Sequence, residues 1–190
     1  MEAAFAWLGQ IFEALLKFFP RVTIVRATHA GVKWRWGYKV LPMNPGLHVW
    51  WPLVTDIEVV PIARQTISLP VQVQTTKDGK KAVIGTIVVY RIYDIVSAIG
   101  KRNWDVDSTV NDISQGAIAR VIATHTFDEI MQGMADGSIV KRLTHGVRRE
   151  LRSFGIRVMQ AKIVDLAECR VWKLVTNDNG HRHQLGMPLH

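Results

Sequence analysis

The stretch 83–93, VIGTIVVYRIY, is apolar at nearly every position rather than at every second one. Successive residues of a strand face opposite sides of a sheet, so such a run belongs in the middle of one. Its natural neighbour precedes it. Ile67, Leu69, Val71 and Val73 alternate with Ser68, Pro70, Gln72 and Gln74, which predicts a strand over 67–75 with one buried and one wet face. Pro70 points to an edge position or a bulge. Between the two runs, Lys77-Asp78-Gly79-Lys80 carries the Asp-Gly turn signal of a hairpin.

Upstream, Val22, Ile24 and Val25 lead to Thr28-His29-Ala30-Gly31, read as a turn, with Val32-Lys33-Trp34-Arg35-Trp36 as the returning strand. Pro42-Met43-Asn44-Pro45-Gly46 is a turn cluster, followed by Leu47 to Leu53 and a strand over 57–61. Trp50 and Trp51 are adjacent, so a regular strand cannot bury both in one core. Either one of them makes a second membrane contact, as the interfacial preference of tryptophan suggests, or the pair packs in the core and between subunits.

The second half reads as helices: a short one over 95–100, a longer one over 107–123, a capped start at Thr126 with Glu129 three residues on, and a third over 138–154. In the third, Val140, Leu143, Val147, Leu151 and Phe154 share one face, while Lys141, Arg142, Arg148, Arg149 and Arg152 make a basic one. Gly155 ends it and 156–164 returns as a strand. Strands, then helices, then a strand is an α+β order, with a mostly antiparallel sheet packed against helices.

Residues 1–19 are apolar except at Glu2, Gly9, Gln10, Glu13 and Lys17. On a helical wheel these five fall within an arc of roughly 100°. Phe5, Trp7, Leu8, Ile11, Phe12, Leu15, Leu16, Phe18 and Phe19 occupy the wide face, and Pro20 stops the helix. Three readings fit: a helix lying in the plane of a membrane, a span, or a helix packed on its own domain or a partner. The ordered polar stripe favours the first. The leading Glu2 and the bulky Phe18 and Phe19 argue against a cleaved signal peptide. Lys17, Arg21 and Arg26 follow the segment, so a span would leave the body in the cytoplasm. The expected division is a membrane-associating helix over 1–20, a body over 21–175 and a polar tail over 176–190.

The chain has 190 residues, a formal net charge of +8 and one cysteine, Cys169. The charge suits an anionic partner, lipid headgroups or nucleic acid; no intrachain disulfide is possible. No phosphate-binding loop, dinucleotide fingerprint or metalloprotease histidine pair is present. His181 and His183 lie in the tail and offer a metal no fixed geometry. Asp105 and Asp107 read as helix-capping carboxylates rather than an acid–base pair. The basic face could track phosphates, but no aromatic residues interleave with the cations, which disfavours nucleic acid against lipid or an acidic neighbour.

Several segments, in order, resemble the SPFH (Band 7) family of stomatins, prohibitins and flotillins. They are Pro20-Arg21 with Ile24-Val25 and Ala30-Gly31-Val32, then Asn44-Pro45-Gly46-Leu47-His48 with Trp51-Pro52. Thr75 to Gly79 before 83–93 follows, then Ala117 to Arg120, His125-Thr126, Asp128-Glu129-Ile130, and finally Leu151, Gly155-Ile156 and Ile163 to Asp165. The resemblance implies a membrane-bound homo-oligomer, ring or cage, that organises membrane and regulates membrane proteases or channels. It implies no catalytic residue, no metal and no cofactor. The family usually continues into a long coiled coil, and no heptads follow here. Such a shortened form would also suit a bacteriophage-encoded member that coats or remodels host membrane; the expected place is the membrane of a bacterial cell or phage-infected host, with the body on the cytoplasmic side. The rival expectation is a soluble or virion-associated module whose first helix docks on a partner protein.

Overall fold

The structure, a computed structural model, describes residues 18–100 and 105–169. Most of the expected N-terminal helix, including Phe5, Trp7, Leu8, Ile11, Phe12, Leu15 and Leu16, lies outside the described residues, as do the tail and its histidines. The described chain is α+β with antiparallel sheets, as expected.

Five short strands come first: β1 (Arg21–Val25), β2 (His29–Arg35), β3 (Lys39–Met43), β4 (Gly46–Trp50) and β5 (Thr55–Pro61). They form two small sheets, β1 with β4 and β3-β2-β5. The expected hairpin of 22–25 with 32–36 is not formed. β1 pairs with β4 from Arg21↔Trp50 to Val25↔Gly46, while β2 pairs with β3 and β5. Ala30 and Gly31 sit inside β2 instead of in a turn. Gly31 is needed there for close approach: a Cβ would stand 2.5 Å from the Glu58 carbonyl oxygen of β5.

The larger sheet is β6 (Gln65–Thr75), β7 (Lys81–Ile92) and β8 (Ile156–Cys169), with β7 in the centre. The 83–93 run therefore lies where its composition requires. Its two faces are unequal. Ala82, Ile84, Val88, Tyr90 and Ile92 are buried under helices, whereas Val83, Ile87 and Val89 on the other face are half-buried. The register of β6 against β7 slips between Leu69 and Gln72, at Pro70. A bulge of this kind turns every following side chain to the other face. Val71 and Val73 are consequently exposed and Gln72 and Gln74 half-buried, the reverse of the regular alternation read from the sequence.

A π-helical turn (Val96–Gly100) leads on to three helices: α1 (Val106–Ala123), α2 (Phe127–Asp136) and α3 (Ser138–Leu151), the last extended by a 3-10 turn (Arg152–Phe154). Asp105 caps α1, accepting from the amides of Asp107 at 3.0 Å and Ser108 at 3.3 Å. Its carboxyl is held below its usual range, first by the Ser108 hydroxyl. Thr126 and Glu129 form the expected reciprocal cap of α2. The Thr126 amide donates to Glu129 and lowers its carboxyl. The Lys77–Lys80 turn docks onto this junction: Lys77 N–H donates to the His125 carbonyl at 2.8 Å, and Phe127 N–H to Asp78 at 3.3 Å. Gly155 closes the helical region at φ +71.

The core lies between the sheet and α1 and α3. Val110, Ile122, Leu143, Val147 and Leu151 are fully buried against Val88, Tyr90, Val158 and Ala161. Thr144 covers part of the open edge of β8: its hydroxyl accepts from Ala161 N–H at 2.9 Å.

Candidate membrane-contact end

The registers of the small sheets bring three chain segments to one end. Arg21↔Trp50 places the start of β1 beside the end of β4. Arg35↔Lys39 closes β2 and β3, and Arg35↔Thr55 aligns β5 with them. The residues before β1, the β2–β3 tip and the β4–β5 loop therefore adjoin. Trp36 N–H donates to the Val54 carbonyl at 2.8 Å and ties the tip to the loop. Pro20, Trp51 and Val54 line a shared cleft of about 320 Å³.

This end is rich in exposed large apolar side chains. Phe18 and Phe19 precede β1; Trp36 is 62% and Tyr38 79% exposed at the tip; Trp51 and Leu53 project from the loop. Beside them the cross-strand pairs Val22–Val49 and Ile24–Leu47 are also exposed. Exposed apolar side chains gathered at one end are the usual mark of an interaction surface. Cations surround it. Lys33 donates to the Val49 carbonyl at 3.3 Å and lines the cleft with Arg35. Arg35 and Lys39 are direct cross-strand neighbours, a like-charge pairing that is unfavourable in isolation.

Trp36 has φ +57, the one non-glycine residue in the left-handed region among the described residues. For a bulky residue that conformation costs about 1–2 kcal/mol. The chain thus holds a large exposed aromatic in a strained turn where Asn or Gly would relax it.

Trp50 and Trp51 separate, as adjacency in a strand requires. Trp50 is half-buried: its indole N–H donates to the Thr23 hydroxyl at 2.9 Å, and Arg21 lies 5.9 Å from its ring. Trp51 is the exposed one. His48 secures the preceding turn with a 2.7 Å hydrogen bond to the Asn44 carbonyl, a structural role. Trp36, Tyr38 and Leu53 do not stand out in the sequence. The available signal was the aromatic–glycine–aromatic order Trp36-Gly37-Tyr38 between Arg35 and Lys39.

The five cations of the expected basic face are all exposed on α3 and its extension, but they divide into two groups. Arg142 hydrogen-bonds to His125 and Arg149 pairs with Glu150, which also binds Arg120 at 3.1 Å. Arg148 reaches the β8 edge, where its Nε donates to the Val158 carbonyl at 3.0 Å. Lys141 and Arg148 line one cleft, and Arg148 and Arg152 another. Among the described residues no helix is long and apolar enough to cross a membrane, and no three His, Cys, Asp or Glu side chains are gathered for a metal ion.

Known proteins share this sequence pattern. The profile of the SPFH domain / Band 7 family matches residues 23–169. An uncharacterized protein of Archaeoglobus fulgidus is 25% identical over 160 residues, 84% of this chain and 63% of its own. A stomatin homolog of Pyrococcus horikoshii is 26% identical over 76% of this chain and 53% of its own. Stomatin-like protein 3 of Mus musculus is 28% identical over 65% of this chain and 42% of its own. The chain thus spans roughly half the length of the stomatin-type relatives it matches.

Proposed function

This chain belongs to the SPFH domain / Band 7 family, and on that premise we propose a non-enzymatic, membrane-associated scaffold that self-associates on a lipid surface. The carrying observation is the convergence of Phe18, Phe19, Trp36, Tyr38, Trp51 and Leu53 at one end of the body. The amphipathic segment before Phe18 joins the body at that same end. In this reading residues 1–19 lie in the interface and the two loops dip beside them. Trp and Tyr favour the headgroup level, where Arg35, Lys39 and Lys33 meet phosphates. Lipid anions would relieve the Arg35–Lys39 repulsion, and burial of the tip would offset the strain at Trp36. If the segment spans instead, the cations after it favour a body on the cytoplasmic side.

In this reading the α+β body over 21–175 takes part in the lateral association. The relatives reported come from archaea and mammals and lend no support to a bacteriophage origin.

Vesicle flotation tests the lipid contact. Deleting residues 2–19 should weaken flotation strongly, and replacing Trp36, Tyr38, Trp51 and Leu53 with Ser in the full chain should weaken it further. Unchanged flotation in both variants would remove the membrane reading. Mass photometry in detergent tests assembly; a strict monomer at micromolar concentration contradicts it.

A further inference from the structure

A second cluster of cations gathers where α3 gives way to β8. Arg91 and Arg157 stand directly opposite each other on β7 and β8. Like charges in that position repel. The Arg157 guanidinium lies 5.5 Å from the Tyr93 ring, and the Tyr93 hydroxyl donates to the Arg152 carbonyl at 2.9 Å. Arg148 is held by its bond to Val158. Arg148, Arg152 and Arg157 then line one cleft of about 280 Å³ with Tyr93 and Ile156. Arg148 also borders an adjoining cleft that carries Arg64, Lys141 and His145.

Among the described residues these guanidiniums have no ion-pair partner. The ion pairs among the described residues are Lys80–Asp78, Arg120–Glu150 and Arg149–Glu150. Asp94, next to Tyr93, turns its carboxylate to the amides of Val96 and Ser97 and to the Ser97 hydroxyl. A surface cation normally stays apart from its like. Here the Tyr93 ring holds the Arg157 guanidinium, a bond to the Val158 carbonyl holds that of Arg148, and the Tyr93 hydroxyl fixes the main chain at Arg152 beside the same concavity.

We propose that Arg148, Arg152 and Arg157 form a binding site for a phosphate group, with Arg91 supplying further positive charge. Planar guanidiniums match phosphate oxygens with paired hydrogen bonds. The cleft is too small for a helix or a duplex and admits a phosphate-bearing group. The phosphate can arrive free in solution or on a lipid headgroup. This site does not depend on the membrane reading above.

The test uses the full chain. Inorganic pyrophosphate is titrated calorimetrically into detergent-solubilised protein, and flotation is compared on phosphatidylcholine vesicles with and without phosphatidic acid. Saturable pyrophosphate binding identifies a soluble ligand. A gain in flotation from phosphatidic acid alone identifies a headgroup. In either case, Arg152→Gln with Arg157→Gln should weaken that binding by at least roughly tenfold, about one guanidinium–phosphate contact. Attachment to phosphatidylcholine alone reports the apolar end and should not change. The control Arg142→Gln with Arg149→Gln removes equal charge from the other side of α3 and should have little effect. Near-ultraviolet circular dichroism confirms that both variants fold. Three outcomes overturn the site: no binding in either arm, an equal loss in the control, or equally tight binding of an oligoglutamate peptide.

Discussion

The Tyr90 hydroxyl donates to the Asp107 carboxylate at 2.5 Å, joining the central strand to the first turn of α1. Tyr90 is buried and Asp107 exposed, so the bond spans the sheet–helix layer from core to surface. Burial first, and then the Asp107 hydrogen bond and charge, push the Tyr90 phenol well above its ordinary range. The folded state therefore holds this proton more tightly than the unfolded chain. Stability from this source is complete below the unfolded value of about 10 and declines as pH rises beyond it. Chemical denaturation at alkaline pH should show that decline, and Tyr90→Phe should flatten it. At neutral pH the same variant should lose about 1.5 kcal/mol, a hydrogen bond to a charged group.

At the acid end the caps should fail first. Asp78, Asp105, Glu129 and Asp136 all have lowered carboxyl values, caused first by hydrogen bonds from Thr76, Ser108, Thr126 and Ser138 respectively. Their contribution is present above the unfolded values of about 4 and fades as pH falls through the folded ones. Thr126→Ala should cost about 1 kcal/mol at neutral pH. Its penalty should shrink in acid, because Glu129 then loses the charge that completes the reciprocal cap. Urea melts across the acid range measure both.

The bulge at Pro70 gives a test of register. Val71→Thr and Val73→Thr, on the exposed face, should change stability by less than about 0.5 kcal/mol. Val88→Thr, buried under the helices, should cost about 1–3 kcal/mol because the hydroxyl is left without a partner. Equal penalties at all three sites would mean that β6 keeps regular alternation past Pro70.

Trp36 should separate stability from function. Trp36→Asn relieves the left-handed strain and should raise stability by about 1 kcal/mol. The same substitution should weaken vesicle binding, since it removes an interfacial aromatic. Thermal melts and flotation of one protein sample read the two effects in opposite directions.

What the sequence revealed follows the range of the forces involved. The central strand, the Asp78-Gly79 turn, the Thr126–Glu129 cap and the glycine stop at Gly155 are local patterns, and each appears in the fold. The pairing of β1 with β4 is not legible locally, because consecutive strands are the usual partners and 22–25 finds an acceptable one in 32–36. Pro70 signals a bulge in the sequence, but only the register of β6 against β7 shows that Val71 and Val73 turn outward. The apolar end was half legible. Trp51 was visible as one of an adjacent pair. Trp36, Tyr38 and Leu53 gain meaning only when three separated segments meet, which no single window of sequence displays. In the sequence the basic face of α3 is one surface, because its cations fall on one broad arc. The fold divides it by placing His125 and Glu150 on one side and the β8 edge on the other.

Hydrogen–deuterium exchange of the full chain, with and without phospholipid vesicles, tests the lipid contact most directly. Lipid should protect the amides around Trp36–Tyr38 and Trp51–Val54 while leaving α1 and α2 unchanged. Loops that exchange equally in both conditions while the chain is vesicle-bound, or protection confined to the helices, would contradict the membrane-contact end.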